Sequence, residues 1–166
     1  HADQDPTKVV KWDDRSGDII EGSLENFDVI IHLAGAGIGD KRWSKKRKKL
    51  IAESREIPTR NLANALANLA SPPSLFMCAS AVGYYDNRGD EELDENSSSG
   101  DGFLAEICRQ WEDAAQPAID AGIRTIHMRT GIVTTAAGGM LQQILLPAKL
   151  GACLLYTSPS PRDKRL

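Results

Sequence analysis

Residues 28–39 read DVIIHLAGAGIG, a short apolar run, Val29 to His32 with Leu33, that breaks into alanine and glycine. An apolar run of that length predicts a strand buried on both faces, as the strands of a parallel sheet are. Gly35, Gly37 and Gly39 then let the backbone pass close to a flat or phosphorylated group. Together they point to a nucleotide site at the carboxyl end of a strand. No strand followed by G-x-G-x-x-G precedes this run, and that turn, opening a helix, is what holds a dinucleotide pyrophosphate on backbone amides.

Outward from this strand the pattern alternates. Lys8 to Trp12 (KVVKW) is a short strand candidate, followed by a polar turn through Asp13, Asp14 and Gly17. Ser44 to Leu69 reads as helix, with Leu62, Leu66 and Leu69 at i, i+4, i+7 and a similar stripe beginning at Leu50 and Ile51. Pro58 removes an amide donor and disfavours helical geometry at Ile57, which predicts a kink or two abutting helices. Leu75 to Ala81 (LFMCASA) is the next strand, ending at Ser80, and a glycine- and acid-rich loop follows. Phe103 to Ala115 is an amphipathic helix with Leu104, Ile107, Cys108, Trp111 and Ala115 on one face, and Thr125 to Met128 is a further strand entering Arg129-Thr130-Gly131. Strands separated by helices of this length imply crossovers and a parallel α/β sheet.

Composition narrows the functional classes. At 166 residues, 41% hydrophobic and 26% charged, the chain has the size of one α/β domain. A formal net charge of −3 argues against nucleic acid as the main partner. No apolar run approaches the roughly 18 residues of a membrane span, and the amino terminus carries no signal-peptide pattern, so no membrane partner is expected. Cys78, Cys108 and Cys153 form an odd, scattered set without a C-x-x-C pair. That spacing disfavours a disulfide framework or zinc site and points to a reducing compartment, the cytoplasm.

Five segments, HLAGAGIGDKRW, ESREIPTRNL, SAVGYYDNRGDE, GDGFLAEICRQWE and MRTGIV, together resemble the epimerase-like branch of the extended short-chain dehydrogenases, in order and spacing, over roughly residues 8 to 151. The resemblance implies a Rossmann fold, an NAD or NADP cofactor and a small-molecule substrate. Leu33, Ala34 and Gly35 match the stretch that lines the adenosine side of the cofactor. Asp13, after Trp12, falls about where relatives place an acidic residue near the adenine. Ser80 matches the serine that polarises the substrate carbonyl beside the nucleotide.

The departures from the family pattern lie at the proton-transfer residues. Working members use Y-x-x-x-K, in which the tyrosine is the general acid or base and the lysine lowers its pKa and holds the nicotinamide ribose. Phe103 stands where the tyrosine belongs, Ile107 where the lysine belongs, and Arg55 replaces the asparagine usual on the preceding helix. Tyr84 or Tyr85 is the substitute proton donor to weigh, since either stands near Ser80.

The resemblance also orders the chain. Residues 1–151 are expected to be a partial Rossmann-like domain without its first βαβ unit and its C-terminal substrate lobe. Residues 152–166, within ACLLYTSPSPRDKRL, resemble translated adaptor read-through and are expected to be non-native. With strands one and two of the order 3-2-1-4-5-6 missing, the Lys8 strand should be detached or paired directly beside the Asp28 strand. An exposed apolar edge should leave the isolated chain marginally stable or prone to aggregate.

Other features have plainer readings. Lys45 to Lys49 is five cations in a row, read as a solvated helix face rather than a nucleic-acid patch. Asp90, Glu91, Glu92, Asp94 and Glu95 lack the ligand alternation of a calcium loop and read as a surface loop near the substrate mouth. His32 and His127 read as core histidines with satisfied rings, Cys78 and Cys108 as small core residues, and Arg129 either as an anion receptor or as an anchor for the loop after its strand. Three functions follow: an NAD(P)-dependent oxidoreductase or epimerase whose present chain is inactive, a non-catalytic nucleotide binder, or an interaction domain without a ligand.

Overall fold

The computed structural model describes residues 9–39 and 41–135, together with residues 145 and 149. The described residues up to Thr130 form one compact unit and those from Gly131 a second, which contains the strand β6, Thr134–Thr135. The expected non-native tail, 152–166, lies outside the described residues.

The first unit is mixed α/β. Strands β3 (Val29–His32), β4 (Leu75–Ala81) and β5 (Arg124–Thr130) form a parallel sheet in the order β3-β4-β5. Its register aligns Ile30 with Phe76 and Thr125, and His32 with Cys78 and His127. Helix α1 (Lys45–Ala67) connects β3 to β4, and α2 (Phe103–Asp113) with the short α3 (Gln116–Asp120) connects β4 to β5. Ser44 caps α1 by accepting from the Arg47 N–H at 3.2 Å, which is why the helix starts there despite the cationic run that follows. The core gathers Leu62, Ala63 and Leu66 of α1, Phe76 and Cys78 of β4, Trp111 of α2, and Ala115, Ala118 and Ile123. Trp111 also donates its indole N–H to Thr59 Oγ1 at 3.0 Å, a buried bond that ties α2 to α1.

Several expectations are corrected. Among the described residues the Asp28 strand is covered on one face: Val29 is 41% and Ile31 58% exposed, whereas Ile30 packs on the core and His32 is buried. Residues alternate faces along a strand, and the helices pack against the face that carries Phe76 and Cys78. Helix α1 runs unbroken through Pro58, which is buried, because tertiary packing of Ile51, Thr59, Leu62 and Leu66 outweighs the lost amide donor. The strand expected over Lys8 to Trp12 is β1, Lys11–Trp12, and it pairs antiparallel with β2, Ile19–Glu21, in a separate two-stranded sheet. Of the two expected placements, the detached one holds. Helix α2 ends at Asp113 and β5 extends two residues past Met128.

The β1–β2 hairpin is fastened to α1 at its tip. Asn61 Nδ2 donates to the carbonyls of Asp14 at 3.2 Å and Arg15 at 2.8 Å. Gly17, at φ +83, leaves a gap into which Asn61 fits, since a Cβ there would lie 3.1 Å from Asn61 Cβ.

Two substitutions separate the core from the hairpin. Phe76→Ala should lower global stability by about 3–5 kcal/mol in urea unfolding. Asn61→Ala should cost about 1 kcal/mol and speed amide exchange chiefly between residues 11 and 21. Equal losses from both variants would show that the hairpin is part of the main cooperative unit.

Candidate functional site

The loop after β3 lies along the first half of α1. The Ala36 N–H donates to Ser54 Oγ at 3.1 Å, Arg47 donates to the Gly37 carbonyl at 2.5 Å, and Trp43 Nε1 donates to the Ile38 carbonyl at 2.9 Å. A Cβ at Gly35 would sit 3.3 Å from both Cγ and Cζ of Arg55, so a residue without a side chain lets that arginine lie against the loop. Arg55 is half-buried, donates to the Ile51 carbonyl at 3.0 Å, and its guanidinium lies 5.0 Å over the Trp111 ring. Burial pulls its pKa below the ordinary arginine value. Leu33, Ala34 and Gly35 are exposed, Leu33 by 68%. The loop therefore presents an apolar surface and a glycine backbone, with a guanidinium behind it.

Asp13 is engaged elsewhere. Its Oδ1 accepts from the N–H groups of Arg15 at 2.8 Å and Ser16 at 3.0 Å, closing the hairpin turn. Those backbone donors, that of Ser16 foremost, hold its carboxyl below the usual carboxylate range although it is fully exposed. The structure gives the carboxylate a local partner and does not bring it into contact with the β3 loop.

Ser80, the penultimate residue of β4, lies on the helix-facing side, 4% exposed, and donates its hydroxyl to Glu112 Oε1 of α2 at 2.6 Å. Arg129 of β5 closes on the same carboxylate through Nε to Oε1 and Nη2 to Oε2, both at 2.9 Å. Arg129 Nη1 also donates to the Tyr85 hydroxyl at 2.8 Å and to the Glu95 carbonyl at 3.2 Å, and its guanidinium lies 3.5 Å over the Tyr84 ring. Tyr85 in turn donates to the Asp94 carbonyl at 2.8 Å. Burial would raise the Glu112 pKa, but hydrogen bonds from Arg129 and Ser80 and the Arg129 charge outweigh it, so the carboxyl is held below its ordinary value. Bonding to Glu112 raises the Arg129 pKa.

Ser80 and Tyr84 are thus joined through one ion pair, the first by a hydrogen bond and the second by ring contact. Tyr85, rather than Tyr84, carries the bonded phenol. At the start of α2, Phe103 packs edge-on against Trp43 with centroids 5.5 Å apart and lies under Lys48 at 4.6 Å, while Ile107 is buried. Neither side chain can transfer a proton. Of the two readings of Arg129, the anchor is the one its bonds support.

Glu112 is the member that sequence reasoning missed. It lies beside Trp111 on a helix with a strongly buried face, and an acid at that border is the one signal that marks it. The histidine reading also needs amending: Nε2 of His32 and Nδ1 of His127 are buried without a hydrogen-bond partner among the described residues, so these rings are not fully satisfied. Cys78 and Cys108 are buried and free, and burial pushes the Cys78 thiol up to about 12. Lys45, Lys46 and Lys49 are exposed, whereas Arg47 and Lys48 are partly buried by the contacts given above.

No family model matches the chain. It is 41% identical over 158 residues to an epimerase family protein of Mycobacterium bovis, a match that takes in 92% of this chain and 52% of that one. A crystal structure of the nucleoside-diphosphate sugar epimerase from Corynebacterium glutamicum superposes with a TM-score of 0.68 at 41% identity, covering 84% of this chain and 29% of that one. The chain belongs to the epimerase family of extended short-chain dehydrogenases. Human epimerase family protein SDR39U1 (isoform 2), solved with NADPH, matches the epimerase-family chain with a TM-score of 0.71 at 32% identity over 78% of its length and 45% of the human chain. The fold is accordingly Rossmann-like. The chain spans about half the length of the curated epimerase-family relatives it matches. No described helix is long and apolar enough to cross a membrane.

Removing the charge of Glu112 tests this clamp. Its folded pKa lies below its ordinary value of 4.5, so its contribution to stability is complete above about pH 4.5 and is lost as pH falls through the folded value. Glu112→Gln should cost about 3 kcal/mol at pH 7, because it leaves a largely buried guanidinium unpaired. The variant should lose less stability than the parent chain as pH drops below 4.5. Parallel acid limbs in the two proteins would contradict the assignment.

Proposed function

We propose that this chain is the part of an NAD(P)-binding epimerase-like protein that receives the adenosine side of the nucleotide, and that it transfers no hydride as it stands. The observation that carries this reading is the β3 loop: exposed Leu33 and Ala34 beside a Gly35 that Arg55 occupies from behind, at the carboxyl end of a parallel strand. The residues fit one side of the cofactor. Leu33 offers an apolar surface to a base, and Ala34 and Gly35 leave the backbone open to a ribose. The human relative solved with NADPH supports the same nucleotide class here.

The residues do not fit the chemical half. A bound NAD(P) supplies the hydride acceptor or donor, and the protein must then supply a proton at the reacting oxygen. Phe103 and Ile107 cannot, and the Ser80 hydroxyl hydrogen is directed to Glu112. Polarisation of a carbonyl by Ser80 would require that bond to break. The reducing-compartment reading of the cysteines makes the cytoplasm the proposed location, with a small molecule as the partner of the whole protein. A second reading, a nucleotide-binding protein without catalysis, is favoured by the Phe103 and Ile107 pair alone.

Titration calorimetry of the full chain with NADPH and NAD+ tests the first part. Saturable binding of at least one nucleotide is expected, weakened about tenfold or more in Gly35→Val, whose side chain meets Arg55 behind the loop and forces the loop backbone out of place. Equal affinity in the variant, or no binding of either nucleotide, would refute it. Turnover of a panel of carbonyl compounds by the full chain would refute the statement that it transfers no hydride.

A further inference from the structure

Strand β3 is anchored through alternate residues. It stands at the edge of the described sheet order β3-β4-β5 with Val29 and Ile31 exposed, so Ile30 and His32 are the side chains that hold it on the core. His32 is the more deeply placed of the two, 5% exposed at the carboxyl end of the strand. The chain that follows, Leu33 to Gly35, is exposed, and the next tie is the Ala36 N–H donating to Ser54 Oγ. His32 is thus the last buried residue before the β3 loop.

The His32 ring holds that place at a chemical cost. Its Nε2 is buried and has no hydrogen-bond partner among the described residues. A neutral ring can leave a lone pair there, whereas a protonated ring must put an N–H donor and a positive charge into the same space. Burial alone pulls its pKa below the ordinary 6.5. No carboxylate of β4 or of the helices on that face offsets the effect, and the thiol of Cys78, its register partner, stays neutral because burial pushes it up to about 12. His127, one strand further on at the same level, differs. Its Nδ1 is also buried and unpartnered, but Glu112 and Asp113 of α2 favour the charged ring, opposing burial and the charge of Arg129.

We propose that His32 is an acid-sensitive latch on the β3 loop: the neutral ring seats the carboxyl end of β3 on the core, and protonation releases that end together with Leu33, Ala34 and Gly35. The released ring meets water, which solvates its charge. The folded form excludes a proton that the released form takes up, so the latch is complete above about pH 6.5 and is lost as pH falls through the folded value. One proton per opening makes the opening equilibrium constant rise about tenfold per pH unit in that window. The consequence for nucleotide affinity rests on the β3-loop reading given above, and the latch itself does not.

The experiment is native-state amide exchange of the full chain from about pH 7.5 to 5.5, corrected for intrinsic exchange rates, with an NMR titration of the His32 ring. Protection of the β3 amides should fall about tenfold per pH unit below about pH 6.5, with the α2 amides falling less, and the ring should titrate below its ordinary 6.5. His32→Phe keeps a ring of similar size that does not titrate, and in it the β3 fall should vanish. His127→Gln should retain that fall. Affinity for NADPH should weaken about threefold or more from pH 7.5 to 5.5 in the parent chain relative to His32→Phe. The proposal is overturned if β3 protection is flat across the range, if the His32 ring titrates at or above 6.5, or if His32→Phe keeps the fall. The first two outcomes are read on the parent chain and need no variant to fold. A fall in β3 protection with NADPH affinity unchanged, or with no NADPH binding at either pH, supports the latch and counts against the β3-loop reading.

Discussion

The arrangement of the functional end depends on the ion pair between Arg129 and Glu112. Its two side chains are 19% and 10% exposed, and each belongs to a different element, one a strand and the other a helix. Isolated, either charge would be costly in that position. Paired bidentately, they fix the carboxyl end of β5 to α2, and each remaining lone pair or N–H then recruits a neighbour. Ser80 is held by the carboxylate, and Tyr85 and the Glu95 carbonyl by the guanidinium. The same pair therefore positions Tyr85 and engages the Ser80 hydroxyl, the group that the family resemblance assigns to a substrate carbonyl.

Coverage of the sheet follows a different constraint. Helices α1, α2 and α3 supply the core on the face of Phe76 and Cys78, and the alternate face shows Val29 and Ile31 to solvent. An apolar strand reads the same in sequence whether one or both of its faces are covered, because hydrophobicity reports what a segment can bury and not what is there to cover it. That is why the Asp28 strand was legible as an element and its environment was not.

Legibility elsewhere tracks the range of the interaction. Helix α1 could be bounded from Ser44 and the leucine stripe, and β4 from LFMCASA, since caps and periodicity are local. The effect of Pro58 could not, since it depends on packing by residues from other elements. β2 and α3 are too short to carry a period, and the hairpin is fixed by Asn61, some 46 residues away from Arg15. Ser80 was correctly placed at the end of a strand by its motif, but its partner lies 32 residues on, with no spacing that announces it. Glu112 and Arg129 look in sequence like two ordinary charges, and only the crossover from β4 through α2 to β5 makes them one group.

A double-mutant cycle on Glu112→Gln and Arg129→Met, read by urea unfolding at pH 7, tests the central claim most directly. Because the two residues share one buried hydrogen-bonded group, a coupling of about 1.5–3 kcal/mol is predicted. Additivity of the two single losses to within about 0.5 kcal/mol would contradict the account, since independent residues could not hold the ends of α2, β4 and β5 together.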